Sequence, residues 1–389
     1  MNQSNEIMHL DRAKRELALA NSIDEVKEIH DRAEALRNYA KAADLSLEMQ
    51  NLCAELRLRA ERKAGELLKE EIKPGNPQLS SDSTIGKIKN LSDFGLSRYN
   101  SSTWQKIASI PEPEFENFLT EQKENKEEIT TASALRLHYE INKEAEAKEE
   151  KERLDKMEIQ DNSRIILGKM EDEIPKLEEG IADLILTDPP YGLGDTADIK
   201  FKGRASLSSP RGKWDYNVDF NTWISLMSRA MKDNGSIYMF VWDRLIGDAL
   251  SAFGKFDFEI KNLITWHKTN PPPTVRKRQW CHSHETIIFA ARGKYTFNWL
   301  GQKNMHNYIE CPICTGNSKE RLGHPTQKPV KLLKKFIEVS SNPGDLVFDP
   351  FAGVGSTGAA AKELGREYLM IESDEKYYKK ACLRLQGKI

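Results

Sequence analysis

The sequence of 389 residues lacks a long apolar run. No stretch approaches the roughly 18 uncharged apolar residues that cross a bilayer, so no membrane span is predicted. The first residues, MNQSNEIMHLDRAKRE, lack the apolar core of a secretory signal. Cysteine is scarce, with five residues scattered along the chain. An odd number without a regular framework is typical of a reducing compartment, and we therefore expect a cytoplasmic protein.

The chain also lacks an excess of charge of either sign. Its 58 Lys and Arg residues nearly balance 60 Asp and Glu residues, which gives a formal net charge of −2. A basic coat over the whole surface is thereby excluded, and any nucleic-acid site must be a local basic face. Hydrophobic residues make up 39% of the chain, which is too many for a disordered protein. At roughly 150 residues per domain, the length predicts two to three domains.

The first 157 residues are predicted to be helical. Residues 12–71 are rich in Ala, Leu, Glu, Lys and Arg, with one glycine and no proline. Ser22 is expected to cap the helix that follows it. We divide this part into a helical region over 1–75 and a connector over 76–157. An apolar stripe in the first region is compatible with self-association as a homodimer or with an ordinary helical subdomain, and its spacing does not choose between them.

The connector contains a short helix, a DFGLS turn and a second helix over residues 84–110. We expect Ser101 or Ser102 to cap the second helix. In that arrangement Arg98 and Lys106 would face phosphates, as in a helix-turn-helix. The alternative is a small helical connector without a binding role.

From about residue 158, strands alternate with helices. Helical patterns such as FNTWISLMSRAMKD and KPVKLLKKFIEVS separate several apolar, β-rich runs. This alternation predicts an α/β fold with a doubly wound, mostly parallel, seven-stranded, Rossmann-like sheet. Because no helix separates the fourth run from the fifth, these two are expected to form a hairpin-like pair at a sheet edge. The seven runs cover residues 163–168, 182–188, 235–242, 260–268, 285–293, 345–351 and 366–373.

The second of these runs ends in Asp-Pro-Pro-Tyr-Gly. In a doubly wound sheet, ligands bind beyond the carboxyl ends of the strands. Pro189 and Pro190 fix the backbone and remove two N–H donors, so the turn is rigid and presents carbonyls. The Asp188 carboxylate and the Pro189 carbonyl are two acceptors suited to an –NH2 group, and Tyr191 offers a flat face to a planar ring. The alternative is an ordinary strand-ending turn with a packed tyrosine.

A second strand end, DPFAGVGSTG over 349–358, opens a helix. Its glycines allow a ligand to approach the backbone closely. The next predicted strand ends at Glu372, where a carboxylate can hold both hydroxyls of a ribose. A dinucleotide-binding fold is the competing interpretation, because Gly353, Gly355 and Gly358 fit GxGxxG by count.

Three motifs in one order, DPPY at 188–191, GHPTQKPVKLL at 323–333 and DPFAGVGSTG at 349–358, resemble those of S-adenosylmethionine-dependent DNA amino-methyltransferases. DPPY precedes FxGxG, as in the permuted β group of that family, and the resemblance covers residues 160–389. It implies an enzyme that transfers a methyl group to the exocyclic amino group of a flipped base in DNA. DPPY favours adenine N6. Cytosine N4 is the alternative, and a non-enzymatic DNA-binding regulator with the same fold is the second alternative.

The resemblance also implies three groups of functional residues. The implied catalytic residues are Asp188, Pro189, Pro190 and Tyr191. The implied residues for S-adenosylmethionine are Asp349, Phe351, Gly353, Gly355, Glu372, Thr326, Gln327 and Lys328. The implied DNA-binding residues are Arg276, Lys277 and Arg278, within target-recognition loops expected near 195–215 and 269–283. DNA is thus the expected partner, which places the protein at the nucleoid.

Two further features concern the cofactor and metals. Lys169 stands where this family often has an acid that contacts the adenine of the cofactor, and Glu171 or Asp172 would substitute for it. Cys311 and Cys314 have the spacing of zinc ligands, but a structural zinc needs four ligands and the sequence has no second CxxC. We therefore predict a cysteine-containing turn and no metal site.

Overall fold

A computed structural model describes residues 3–71, 91–159, 164–192, 199–201, 204–207, 218–274, 278–316 and 318–389. The chain divides into two compact units, Met1–Glu149 with Lys200–Leu207, and Glu150–Ile199 with Ser208–Ile389. Each unit has its own buried hydrophobic clusters. Within the described ranges, no helix is long and apolar enough to span a membrane.

The first unit is helical. Ser22 begins the second helix, because its side chain accepts a hydrogen bond from the Glu25 amide while the Glu25 carboxylate accepts from the Ser22 amide. This reciprocal capping confirms the predicted role of Ser22. The helices are α1 (Gln3–Leu19), α2 (Ile23–Ala42), α3 (Leu47–Glu71), α4 (Arg98–Ala108), α5 (Glu112–Glu124) and α6 (Thr131–Lys156).

The apolar stripe of α3 is buried within the first unit. Leu56, Ala60 and Leu68 pack in one cluster with residues of α1, α2 and α4. Their exposed fractions are zero, so the stripe forms a core. Packing within an ordinary helical subdomain therefore explains the spacing of the apolar residues of α3.

The predicted cap of α4 was wrong. Ser97 begins this helix, with its hydroxyl accepting from the Asn100 amide at 3.0 Å. The chain turns at Gly95, whose φ is +60°, so the helix starts one turn earlier than expected. Ser101 is consequently buried inside α4. Residues 84–90, which would complete the predicted helix-turn-helix, lie outside the described ranges.

The second unit is built around an eight-stranded sheet in the order β1-β10-β9-β2-β5-β7-β6-β8. The first five strands in this order, β1, β10, β9, β2 and β5, are parallel to one another. Strand β7 is antiparallel to both of its neighbours, β5 and β6. The strands are β1 (Ile165–Leu167), β2 (Ala182–Thr187), β3 (Ile199–Phe201), β4 (Arg204–Leu207), β5 (Met231–Val241), β6 (Glu259–His267), β7 (His284–Ala291), β8 (Tyr308–Glu310), β9 (Leu346–Asp349) and β10 (Glu367–Glu372). Strands β3 and β4 form a separate pair, and Lys200–Leu207 of this pair belong to the first unit.

The predicted fold class and all seven predicted strands are confirmed; β3, β4 and β8 are additional, and of these only β8 belongs to the main sheet. Strand β8 has three residues and pairs in parallel with β6, so the β6–β7 pair is not at the sheet edge as expected. The amide of Thr265 donates to the Asn307 carbonyl at 2.8 Å, and the amide of Cys311 donates to the His267 carbonyl at 3.1 Å. Pairing between residues so distant in sequence leaves no local pattern to detect.

Helices cover both faces of this sheet, as side-chain alternation along its strands requires. In β5, Tyr238 and Phe240 pack on the same side as α10, α11 and α12, whereas Ile237 and Met239 pack on the side of α8 and α9. Strands buried on both faces read as continuous apolar runs, which explains why they were recognisable. The helices of this unit are α7 (Met170–Glu173), α8 (Phe220–Ala230), α9 (Ile246–Phe253), α10 (Val330–Ser340), α11 (Ser356–Glu363) and α12 (Glu375–Leu385).

The centre of the sheet contains the point where strand order reverses. Strand β2 lies between β9 and β5, so the chain leaves β2 toward one side of the sheet and β9 toward the other. Because these strands are parallel, their carboxyl ends meet at one edge. A crevice at such a point is where ligands bind in doubly wound sheets.

Candidate active site

A cavity of about 630 Å³ lies beyond the carboxyl ends of β2, β9 and β10. This volume is within the range of small-molecule sites, about 300–1,000 Å³. All four predicted catalytic residues and seven of the eight predicted cofactor residues line it. The structure therefore brings residues of three separate sequence motifs to one cavity. The predicted residues at the cavity are Asp188, Pro189, Pro190, Tyr191, Thr326, Gln327, Lys328, Asp349, Phe351, Gly353 and Glu372.

The Asp188 carboxylate is held by two donors. The Tyr191 hydroxyl donates to its Oδ1 at 2.5 Å, and the Lys328 ammonium donates to its Oδ2. Burial raises the pKa of Asp188, and the neighbouring Lys328 opposes that shift. Because one donor holds each oxygen, the carboxylate has a fixed orientation at the mouth of the cavity.

Lys328 connects Asp188 to a second buried carboxylate, which sequence reasoning had missed. The Lys328 Nζ lies 3.2 Å from Glu285 Oε2, and the Lys268 Nζ lies 2.8 Å from Glu285 Oε1. The Lys328 ammonium also lies 4.8 Å from the centre of the Phe240 ring. Burial lowers the pKa of Lys328, but its two carboxylate neighbours outweigh this effect and hold the pKa above the ordinary lysine value.

Two buried carboxylates line the other end of the cavity. The Thr187 hydroxyl and the Phe351 amide donate to Asp349 Oδ1, at 2.8 and 3.1 Å. The amides of Gly353 and Asp374 donate to the two oxygens of Glu372, at 2.7 and 2.8 Å. Burial raises the pKa of Asp349 to about 6 and that of Glu372 to about 7. Each oxygen of Glu372 keeps acceptor capacity toward the cavity, because an ionised carboxylate has about four lone-pair sites.

The glycine turn between these carboxylates has two parts with different roles. Gly353 has a φ of +53°, and a Cβ there would lie 3.5 Å from the His324 ring, narrowing the cavity. Gly355 has a φ of +73° and begins α11, but it does not line the cavity. A Cβ at Gly355 would lie 3.0 Å from the Cβ of Ala381, so this glycine permits the packing of α11 against α12.

The HPTQKP segment forms another wall. Its Gln327 side chain accepts from the Leu322 amide at 2.8 Å and donates to the Glu320 carbonyl at 2.5 Å, which braces the loop. Burial, followed by the charge of Lys328, lowers the pKa of His324 to about 3. The imidazole beside the glycine turn is therefore neutral at physiological pH.

Lys169 and the two acids after it line the remaining wall. The indole Nε1 of Trp223 donates to Glu171 Oε1 at 2.7 Å, and the Trp223 ring packs edge-on against Phe351 at 5.1 Å. Glu171 and Asp172 are both exposed at this wall, and Glu171 is already engaged with Trp223. Of the two predicted substitutes, Asp172 is the better placed to accept a new hydrogen bond.

The family model described as a DNA methylase, of the N6/N4 type, matches residues 182–382, about half of the chain. The chain is 33% identical over 245 residues to the type II methyltransferase M.HinfI of Haemophilus influenzae, covering 57% of this chain and 68% of that protein. It is 33% identical over 232 residues to the type II methyltransferase M2.DpnII of Streptococcus pneumoniae, covering 55% and 86%. The chain therefore belongs to the N6/N4 family of S-adenosylmethionine-dependent DNA amino-methyltransferases.

Among solved structures, the M1.HpyAVI–SAM complex is 27% identical to the methylase, with a TM-score of 0.44. It covers 57% of this chain and 98% of that one. The PvuII DNA methyltransferase, described as cytosine-N4-specific, is 18% identical with a TM-score of 0.48, covering 59% and 89%.

The side chains that line the cavity of the methylase fit the chemical groups of S-adenosylmethionine. Glu372 supplies acceptors for hydroxyl groups, the Phe351 ring and the neutral His324 supply flat walls, and Gly353 leaves room beside the backbone. The Asp188 carboxylate lies at the same cavity, so a second reactant can meet the cofactor there. The individual residue assignments stay predictions.

The predicted DNA-binding residues are only partly described. Arg276 and Lys277 lie outside the described ranges, as does most of the predicted loop near 195–215. Arg278 is exposed, and the nearby Trp280 has 95% of its surface exposed. An exposed tryptophan next to basic residues is compatible with contact to a base or to DNA backbone, and this role stays a prediction.

The two cysteines with zinc-ligand spacing are both buried in the methylase. Cys311 packs in the core, and its carbonyl accepts from the Trp266 indole at 2.7 Å. The Cys314 thiol donates to Glu320 Oε1 at 3.3 Å. Over the described part of the chain, no group of three or more His, Cys, Asp or Glu residues is arranged to hold a metal ion.

Sequence reasoning missed Glu285 and Lys268 because both lie within strand-like runs. Glu285 belongs to β7, and Lys268 directly follows β6. The sequence nevertheless contained a signal. An acid near the start of one apolar strand and a lysine at the end of its predicted partner strand are rarely buried unless they pair with an opposite charge. Only the structure places them within reach of Asp188.

Proposed function

We propose that this protein methylates the exocyclic amino group of a base in DNA, and that the base is adenine, at N6. The single observation that supports this best is the fixed Asp188 carboxylate at the same cavity as Glu372 and the glycine turn. An amino group has two N–H donors, and Asp188 with the Pro189 carbonyl offers two acceptors. The proline-containing DPPY motif is the feature that favours adenine over cytosine.

In the proposed reaction, the residues of the chain mainly position the target. When bound, S-adenosylmethionine supplies a methyl group on a positively charged sulfur. Hydrogen bonds from the amino group to Asp188 and Pro189 draw the nitrogen lone pair out of conjugation with the ring. Tyr191 stacks on the flipped base, and its hydroxyl bond to Asp188 fixes the angle of its ring. After the transfer, Asp188 accepts the proton that the nitrogen loses. Catalysis by such preorganised acceptors needs no covalent enzyme intermediate.

The cofactor roles follow from the same cavity. We propose that Glu372 binds the ribose hydroxyls, that Gly353 lets the cofactor approach the backbone, and that Asp172 contacts the adenine end. Thr326 and Gln327 would border the methionine end. Lys328 has a further role, because its ammonium is already paired with Asp188 and Glu285.

The direct test is the identity of the modified base. DNA methylated by the purified protein, digested to nucleosides and analysed by mass spectrometry, is expected to contain N6-methyladenine. N4-methylcytosine would instead establish the alternative base. A protein that binds S-adenosylmethionine and DNA but produces neither base would be the non-enzymatic regulator.

We also propose that residues 1–157 add a second contact to DNA, while residues 158–389 form the methyltransferase domain. A shallow groove on the first unit, about 550 Å³ in volume, has basic and hydroxyl side chains along it, including Arg98, Lys106 and Ser102. The Lys106 ammonium is oriented by the Tyr139 hydroxyl at 2.9 Å. Such groups contact phosphates without reading sequence.

A further inference from the structure

Four charged side chains of alternating sign form a ladder beside the cavity: Asp188, Lys328, Glu285 and Lys268. Lys328 pairs with both carboxylates, and Lys268 pairs with Glu285. The exposed side-chain fractions are 18% for each acid, 6% for Lys328 and 11% for Lys268. Two cations balance two anions, so the ladder is electrically neutral as a whole.

The ladder has fixed and adjustable members. Glu285 lies on β7 and is paired in register with Trp266 of the neighbouring strand β6. Lys268 follows β6, and its amide donates to the Ser283 carbonyl at 2.7 Å, so the Glu285–Lys268 pair rests on two hydrogen-bonded strands. Lys328 precedes α10 and reaches both carboxylates with a flexible four-carbon side chain.

One acceptor in the ladder is incompletely satisfied. Glu285 Oε2 is buried and forms no hydrogen bond with any described residue. The Lys328 Nζ lies 3.2 Å away, as an ion pair without hydrogen-bond geometry, whereas its ammonium donates to Asp188 Oδ2. A buried carboxylate oxygen without a hydrogen bond is unfavourable, so it offers a site into which the Lys328 ammonium can turn.

We propose that Glu285 is a positioning residue that takes Lys328 from Asp188 when the target amino group enters. This inference rests on the proposed role of Asp188. The amino group is proposed to donate to Asp188, and the Lys328 ammonium on Oδ2 competes with it by drawing electron density from that oxygen and occupying one of its lone pairs. Rotation of Lys328 toward Glu285 frees the oxygen for the amino group, while the ammonium keeps an ionised carboxylate as its partner.

Lys268 makes this exchange directional. Its ammonium keeps Glu285 ionised, and burial of Glu285 is outweighed by Lys328 and Lys268, which together hold its pKa below the ordinary value. Glu285 is therefore a charged acceptor throughout. Once Lys328 has moved, Asp188 has lost a neighbouring positive charge, which makes it a better acceptor for the proton released from nitrogen.

The test measures single-turnover methyl transfer and S-adenosylmethionine affinity separately in the full-length protein. Glu285→Gln keeps the shape but removes the charge, and we expect transfer to slow by about 10- to 100-fold with cofactor affinity within about threefold. Glu285→Asp retains the charge and is expected to restore most of the rate. Glu310→Gln is the matched control, since Glu310 is an exposed acid on β8, 3.2 Å from His267, and it should be indistinguishable from wild type.

A double variant separates this role from simple packing. Lys268→Met alone is expected to slow transfer by about three- to tenfold, and in a Glu285→Gln background it should have no further effect. Additive losses in the double variant, or a wild-type rate in Glu285→Gln, would overturn the proposal. Equal loss of cofactor binding and transfer in all the variants would also overturn it, because that pattern indicates a structural role.

Asp188→Asn distinguishes this inference from the proposed function. A wild-type protein that transfers no methyl group to DNA would contradict the proposed function, and a normal rate in Asp188→Asn would contradict the role given to Asp188. An inactive Asp188→Asn beside an unimpaired Glu285→Gln would contradict only the exchange of Lys328. Should Glu285→Gln fail to fold, Lys268→Met and Glu285→Asp decide by the same two measurements.

Discussion

Two buried carboxylates at the cavity of the α/β unit differ from a buried carboxylate in the core of the helical unit. In the helical unit, Glu55 lies 3.0 Å from Arg59 and 2.7 Å from Lys123, and these cations outweigh its burial to hold its pKa below the ordinary value. In the α/β unit, Asp349 and Glu372 accept hydrogen bonds from hydroxyl and amide groups, and burial raises their pKa values to about 6 and 7. The first arrangement stabilises a fold, whereas the second, under the proposed function, preserves acceptors for a ligand.

The difference teaches how to recognise a functional acid among many buried ones. Glu34 in the helical unit follows the structural pattern, since Arg57 donates to it at 2.6 Å and its pKa is lowered against the effect of burial. Asp188 combines both patterns, with a cation on one oxygen and a raised pKa. The predictions below test whether charge pairing separates structural from catalytic acids.

The largest effect is expected at Asp188. Asp188→Asn should slow single-turnover methyl transfer by about 1,000-fold, because it removes the negative charge and replaces one of the two acceptor oxygens by an –NH2 donor. Affinity for S-adenosylmethionine should change far less, as measured by calorimetry. Asp248→Asn, at an exposed position on α9, is the control and should leave both quantities unchanged. A near-normal rate in Asp188→Asn would remove the proposed mechanism.

The next effect is on cofactor binding. Glu372→Gln should weaken S-adenosylmethionine by about 10- to 100-fold, the range for losing hydrogen bonds to a charged group. With a pKa of about 7, Glu372 gains a proton as the pH falls, so binding by the wild type should weaken below pH 7. The Gln variant should show no such dependence. Glu375→Gln, at an exposed acid of α12 that does not line the cavity, should behave as wild type. Wild-type affinity for S-adenosylmethionine that does not change with pH would contradict the role given to Glu372.

Substitution of a structural acid should change the stability of the protein and leave its cofactor affinity unchanged. Glu55→Gln should lower the thermal unfolding midpoint by about 5–10 °C at pH 7, because it leaves two cations without their buried partner. The pKa of Glu55 is lowered, so its contribution is present above the unfolded value of about 4.5 and is lost as the pH falls. Cofactor affinity measured on the same sample should be unchanged. A loss of affinity would show that the two classes of acid are not separable.

Asp349→Asn, in contrast to Glu55→Gln, should raise the thermal stability of the protein. The folded pKa of Asp349 is raised to about 6 from 3.8, so the folded state is most favoured when the group is protonated, and stability is lost as the pH rises through this window. The Asn variant should match the wild type near pH 4 and unfold a few degrees higher at pH 8. Its amide oxygen can still accept from Thr187 and Phe351, which both donate to Oδ1. A lower midpoint at pH 8 would contradict the interpretation.

The smallest effect concerns the basic groove of the helical unit. Arg98→Ala should reduce DNA affinity several-fold and make the slope of log K against log salt shallower by about one, as expected for one lost phosphate contact. Arg15→Ala, at an exposed position on α1, is the matched control. Equal salt slopes for the two variants would leave the groove without a DNA role.

The elements that the sequence predicted well are those with local signals. The strand runs that became β2, β5 and β9 are apolar because both of their faces are buried. The DPPY and glycine turns carry backbone constraints that are visible in composition, including the positive φ of Gly353. Such features depend on neighbours in the chain, so a pattern within about ten residues reveals them.

The elements that escaped prediction depend on distant partners. Strand β8 exists only because β6 accepts it, and α4 begins at Ser97 because of the turn at Gly95. Glu285 reaches Lys328 across 43 positions of sequence. Gly355 carries the motif but serves helix packing, which spacing alone does not distinguish from ligand contact.

The adjacency of Thr187 and Asp188 has a consequence for how such a site can vary. Thr187 contacts Asp349 in the glycine turn, and the next residue is the acid proposed to hold the target. One peptide unit, about 3.8 Å between Cα atoms, therefore sets the spacing between the two reactants. An insertion or deletion between them would shift one contact by a whole residue and separate binding from transfer. Loops at the rim can change in length and in the DNA sequence they read, while covalent geometry keeps the dimensions of the reaction centre constant.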